Sequence, residues 1–158
     1  MKIRFTLITL IFFVLGCTSL PQHKSLYNYT PGTEPFIYEI RDVNVSIDYV
    51  NENEIANQVR ILMESSVISN SDLQNMSNVV YIDFNVVQRS FLQNIDQKTT
   101  IFINVIGYDS DRNILIRENY YVTGKDTFLS SVTQYKYVSK ITNNLLKYQE
   151  SVERSFEK

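Results

Sequence analysis

Tryptophan is absent from this 158-residue chain, cysteine and histidine occur once each, proline three times and glycine four times. Each shortage removes a class of chemistry. A lone cysteine, Cys17, cannot close an internal disulfide. A lone histidine, His23, leaves no histidine-based triad and no His/Cys metal cluster to assemble. Glycines at positions 16, 32, 107 and 124 are too scattered to form a loop that cradles phosphates. The expectation is therefore a chain with no catalytic residues, no metal site and no cofactor.

What is present begins at the N-terminus. Met1-Lys2-Ile3-Arg4 is a basic start, and Phe5 to Gly16 is almost wholly apolar. Twelve residues make a helix of about 18 Å, whereas a bilayer core needs roughly 20 apolar residues, so the segment is too short to span. Its order of parts is that of a secretory signal. Val14-Leu15-Gly16-Cys17 ends the run with a small residue before the thiol and resembles the lipobox of bacterial lipoproteins. The resemblance implies cleavage between Gly16 and Cys17, loss of residues 1–16 as a signal peptide, and lipidation of Cys17 with palmitate-type chains that hold it on a membrane. It also bears on sorting. Thr18 stands where the aspartate of inner-membrane retention in enteric bacteria would be, which points to the periplasmic face of the outer membrane.

Without residues 1–16 the chain has the size of one domain. Loss of Lys2 and Arg4 leaves 13 Lys+Arg against 17 Asp+Glu, a formal charge of −4. Nucleic-acid binding needs clustered cations that neutralise phosphates, and no such field exists here. The abundance of Asn, Ile, Tyr and Phe is read as the codon bias of an AT-rich genome before it is read as a binding surface.

Residues 17–35 read as the lipidated cysteine and a flexible tether. They hold all three prolines, the histidine and little apolar periodicity. As a coil, the 18 residues from 18 to 35 have an r.m.s. span of roughly 25 Å. From Phe36 the pattern becomes structured. Phe36, Tyr38 and Ile40 alternate, then Val43, Val45 and Ile47 alternate in the other phase, and a one-residue slip near Arg41-Asp42 predicts a bulged strand. Asn51 and Glu54 resemble a capping box, and Ile55, Val59, Leu62 and Met63 mark one face of a helix to about Ser65. Residues 66–78 are a Ser/Asn-rich connection.

Three more strands are predicted: Val79–Phe91, with Ile82, Phe84 and Val86 on one face; Thr99–Tyr108, apolar enough to be central with both faces covered or nearly so, although an antiparallel sheet with both helices on one side leaves its other face partly open; and Ile114–Thr123, with Ile114, Ile116, Tyr120 and Val122 sharing parity. Asp109 to Asn113 is a turn by composition. It opens like a calcium loop, but Ile114 occupies the place of the required glycine and Tyr120 that of the glutamate. Asp126 is the expected N-cap of a last helix of about 25 residues, whose apolar stripe is Phe128, Val132, Tyr135, Val138, Ile141, Leu145, Tyr148 and Val152. Residues 36–150 thus form one α+β domain, an antiparallel sheet of about four strands with two helices on one face, in the order β-α-β-β-β-α. Residues 151–158 are a frayed or projecting C-terminal tail.

Few residues invite a chemical role. His23 is read as a solvated linker residue. Asp83, Asp96 and Glu118 have no spacing that pairs them for acid–base work and are read as solvent-facing strand residues. Of Tyr120, Tyr121, Tyr135 and Tyr137, at most half can be core, because neighbours on a strand or two apart on a helix face different ways. The lipobox, tether and element order together resemble small envelope lipoproteins such as the lipopolysaccharide-assembly lipoprotein family, the auxiliary lipoproteins of ABC-type lipid transporters and the lipoprotein activators of peptidoglycan synthases. That resemblance implies a non-catalytic adapter or assembly factor bound to an envelope protein complex, with no nucleic acid. The alternative is a module that holds a lipid or other amphiphile between sheet and helices.

Overall fold

The computed structural model describes residues 22–27, 34–48, 52–68, 78–93 and 96–156. Gly16, Cys17 and the expected signal peptide over residues 1–16 lie outside the described residues, as does Asn51 of the expected capping box. The elements are β1 (Gln22–Tyr27), β2 (Phe36–Ile47), α1 (Glu52–Ile68), β3 (Asn78–Gln93), β4 (Asp96–Tyr108), β5 (Ile114–Gly124) and α2 (Ser131–Phe156). The fold is α+β, in the order β-β-α-β-β-β-α, with one sheet of strand order β1-β5-β4-β3-β2. No helix among the described residues is long and apolar enough to cross a membrane.

Strands β3, β4 and β5 form the expected antiparallel meander. The β4–β5 turn is built by Asp109, whose Oδ1 accepts from the backbone N–H groups of Asp111 (2.9 Å) and Asn113 (2.8 Å). The hydrogen bond from the Asn113 side chain, followed by these two backbone bonds, lowers the Asp109 carboxyl from its ordinary value. Arg112 completes the turn at φ 66°. The sheet is not wholly antiparallel as expected. β2 pairs parallel with β3, because α1 carries the chain back before β3 begins, and a helical crossover returns a strand in the same direction. The slip near Arg41 is a bulge between Ile40 and Asp42. It lets Phe36, Tyr38 and Ile40, then Val43, Val45 and Ile47, all bury on one side. The Arg60 guanidinium donates to the carbonyls of Ile40 (2.8 Å) and Arg41 (3.2 Å) at this bulge.

One core lies between the helices and the inward face of the sheet. Ile82, Phe84, Ile103 and Ile116 meet Val59 and Met63 of α1 and Ile141 and Leu145 of α2, all fully buried. Gly107 lets β4 carry no side chain between Ile82 and Ile116; a Cβ there would lie 3.0 Å from atoms of both. α1 continues past Ser65 to Ile68 and buries Val67. Tyr38 donates to the Leu145 carbonyl (2.8 Å) and Gln149 Nε2 to the Phe36 carbonyl (2.7 Å), which fastens the far half of α2 to β2.

Several expectations are corrected. Residues 22–27 are not tether but an edge strand paired antiparallel with β5, from Gln22↔Tyr121 to Tyr27↔Ile116. Prolines 21, 31 and 35 flank this strand in the sequence rather than interrupt it, and an edge strand needs only one ladder. Without β1, β5 would present an unpaired edge. Strand β4 is central, yet only one of its faces is covered, and Phe102 stays exposed on the other. Helix α2 starts at Ser131, not behind Asp126: the Gln134 N–H bonds the Ser130 carbonyl, which makes Ser130 the cap. Val132 and Tyr135 are exposed, because Thr133, Gln134, Tyr137 and Val138 take the inward positions of the first two turns. Gln134 is satisfied there by donating to the Phe128 carbonyl (2.9 Å). The helix runs on to Phe156 with Val152 buried, so it passes the boundary drawn at residue 150.

Candidate functional site: a buried carboxylate, an edge groove and an open sheet face

Glu118 is fully buried, contrary to the expectation of a solvent-facing residue. Its parity explains why: it lies between Ile116 and Tyr120 on the inward face of β5. Oε2 accepts from the Tyr120 hydroxyl and from Asn144 Nδ2 of α2 (3.3 Å); the same amide donates to the Tyr120 oxygen (3.0 Å). Oε1 has no hydrogen-bond partner. From β1, His23 stacks on the Tyr120 ring (centroids 4.2 Å apart, 14° between planes) and sets Nε2 3.5 Å from Glu118 Oε2. Lys140 Nζ lies 5.2 Å from the centre of the Tyr120 ring. Burial, reinforced by the hydrogen bond and charge of Glu118, pushes the Tyr120 hydroxyl far above its ordinary range, although the Asn144 hydrogen bond pulls it down. The cluster thus keeps the Tyr120 hydroxyl protonated beside the buried Glu118 side chain.

His23 is correspondingly not a free linker residue. With Ser25 and Tyr27 it forms one wall of a groove of about 480 Å³, whose other wall is Asn144, Lys147, Tyr148 and Ser151 of α2. Tyr27 and Tyr148 meet at 5.1 Å between ring centres, and the buried Tyr27 hydroxyl has no partner.

The face of the sheet opposite the helices is organised in rows. Asn44, Asn85, Asn104 and Asn119 stand in register across β2, β3, β4 and β5. Asn44 donates to Asn85 (3.0 Å) and Asn104 to Asn119 (2.8 Å). On one side of this amide row lie Val87, Phe102 and Tyr121; on the other Asp83, Ile106 and Arg117. Of the three carboxylates considered for acid–base work, Asp83 sits on this open face, where it accepts from the Tyr108 hydroxyl (3.1 Å), and Glu118 on the covered one, so the sheet separates them. Asp96 begins β4 at the hairpin with Gln93. The tyrosines divide as their spacing requires: Tyr120 and Tyr137 are buried, Tyr121 and Tyr135 exposed.

The buried Glu118 had a signal in its parity with Ile116 and Tyr120. The amide row had none, because its members lie far apart in sequence and only strand register aligns them. No family model matches this sequence, and no curated protein matches it. Among solved structures, the chain is similar to a PelC dodecamer from Paraburkholderia phytofirmans that carries one leucine-to-methionine substitution, with a TM-score of 0.44 and 10% identity over 77% of this chain and 95% of that one. A second PelC dodecamer structure from the same organism gives a TM-score of 0.42 and 10% identity, over 82% of this chain and 97% of that one.

Proposed function

We propose that this chain is a lipoprotein anchored through Cys17 on the periplasmic face of the outer membrane, where it acts as a non-catalytic adapter for an envelope protein complex. Cleavage after Gly16 would make Cys17 the first residue of the mature protein. The observation that carries the adapter reading is the uncovered face of the sheet. Both helices pack on the other side, and the open side presents an apolar row, Val87, Phe102 and Tyr121, beside four aligned amides. Such a mixture of exposed aromatics and hydrogen-bonding groups suits a protein interface. No convergent set of accessible acids, bases or nucleophiles competes with this reading among the described residues, since Glu118 is sealed and Asp83 lies across the sheet.

A photo-crosslinking residue at Phe102 in the native membrane is expected to capture one specific envelope protein, and the same probe at Ile61 on α1 to capture none. Recovery of uncrosslinked monomer from both positions would reject the adapter reading. A Cys17→Ser variant that still takes up labelled palmitate would reject the anchor.

A second reading, a module for an amphiphile, is supported by the groove between β1 and α2. Tyr27 and Tyr148 offer an apolar wall there, with Lys147 and His23 at its polar rim. Native mass spectrometry of protein extracted from its own membrane is expected to show a bound lipid under this reading, and a bare protein mass sinks it.

A further inference from the structure

Strand β1 changes the geometry of anchoring. Four residues, 18–21, separate Cys17 from Gln22, the first residue of the sheet. Even a fully extended chain covers only about 17 Å over five residues. If Cys17 is lipidated, the end of the sheet that carries Gln22 is therefore held close to the bilayer, whatever the rest of the molecule does.

The register says what else lies at that end. Gln22 pairs with Tyr121 near the finish of β5, and the same end holds the β3–β4 hairpin, the β5–α2 connection and the first turns of α2. Several large apolar side chains are exposed there, beside the Arg89–Asp48 and Lys136–Asp126 ion pairs. Leu92 (79% exposed) and Phe91 (40%) stand at the hairpin, and Leu129 (45%), Val132 (75%) and Tyr135 lead into α2. The opposite end of the domain is where Tyr27, Phe36 and Tyr148 gather. Among the described residues, the large exposed apolar side chains there are Leu26, Ile114 and Phe156, the last at the far tip of a 26-residue helix about 39 Å long.

We propose that the end formed by Phe91, Leu92, Leu129 and Val132 rests in the surface of the membrane that carries the lipid anchor. The proposal relies on the Cys17 reading above and goes beyond it, since a lipid anchor alone leaves orientation open. The chemistry fits a lipid surface. Leucine, valine and phenylalanine gain from entering the acyl boundary, and tyrosine suits the headgroup level with its apolar body and polar tip. Lys125 precedes the patch in the chain and has a stem long enough for headgroup phosphates, while Lys136 is paired with Asp126 (3.6 Å) at its rim. One acyl-anchored cysteine is a reversible attachment when it carries little lipid, and a second contact strengthens it. The arrangement also sets the sheet faces upright on the membrane, which leaves the Asn row and Phe102 open to a partner at the side.

The test exploits the cysteine count. An acylated Cys17 has no thiol, so a cysteine introduced elsewhere is the sole site for a fluorophore. Leu92→Cys, Val132→Cys, Ile114→Cys and Phe156→Cys are labelled in the full mature lipoprotein on phosphatidylethanolamine/phosphatidylglycerol vesicles that contain nitroxide lipids. Labels at Leu92 and Val132 are expected to be quenched at least about twofold more than those at Ile114 and Phe156, because side chains held about 5–10 Å into the headgroup boundary lie at the depth of the quencher. Equal quenching at both ends, none at either, or stronger quenching at Ile114 and Phe156 in acylated protein overturns the proposal while leaving the anchor intact. Label found on Cys17 itself shows an unacylated thiol and overturns the anchor reading together with this one.

Discussion

The two faces of the sheet are made by the same strands, residue against next residue, yet they obey different rules. On the helix-covered face every inward position of β3 from Val80 to Val86 and of β4 from Ile101 to Val105 is apolar and buried. On the open face the same strands carry Asn85, Asp83, Asn104, Ile106 and Phe102 in rows that satisfy each other only in part. The covered face stabilises the fold through close packing, and substitution there is costly. The open face contributes little to stability and is correspondingly free to serve recognition. Glu118 blurs the division, since it is a charged residue placed by parity on the covered side and kept there by Tyr120, Asn144 and His23.

The sharpest way to break the comparison is at Phe84, fully buried at the centre of the covered face. Phe84→Ala should cost about 3–5 kcal/mol in urea unfolding. Gly107→Val, which pushes a branched side chain between Ile82 and Ile116, should follow at about 1–3 kcal/mol.

Tyr120→Phe tests the polar exception. Removing the hydroxyl takes a donor from the buried Glu118 carboxylate, which should cost about 1–3 kcal/mol at neutral pH. The sign with pH follows from the raised ionisation of Tyr120. In the unfolded chain a tyrosine ionises near pH 10, whereas the buried one stays neutral, so the unfolded state sheds its proton first and stability falls as pH rises above about 10. The difference between wild type and the phenylalanine variant should be full below that pH and shrink above it; a difference that grows with alkali would contradict the buried cluster.

Arg112→Gly addresses the turn. A side chain at φ 66° carries a left-handed cost of about 1–2 kcal/mol, partly offset by the flexibility that glycine adds to the unfolded chain, so a net gain of about 0.5–1 kcal/mol is expected in the same unfolding experiment. Phe102→Ala should change stability by less than about 0.5 kcal/mol, while, under the adapter reading, abolishing capture of a partner by a photo-crosslinking residue placed at Tyr121. A loss of stability there comparable to that at Phe84 would erase the distinction between the faces.

Much of the fold is legible in the chain wherever near neighbours decide it. The bulge near Arg41, the Asp109 turn, the meander and the partition of the four tyrosines all follow from side-chain parity, phase slips and turn chemistry. Val132 and Tyr135 leave the stripe that their spacing suggests, because the start of α2 is set by Ser130 and by the Gln134 bond to Phe128, not by the first apolar residue. Strand β1 is illegible for a different reason. Its six residues carry little hydrophobic signal, and what makes them a strand is the vacant edge of β5, about a hundred residues away.

Short-range order alone therefore dictates most of the local elements and the apolar face of each strand. Only the folded arrangement decided that β2 runs parallel to β3, that Glu118 and His23 meet, that four distant asparagines form one row, and that the chain joins the sheet within a few residues of Cys17. Each of these depends on which strand lies beside which, and strand neighbours are chosen by long-range packing that no local pattern encodes.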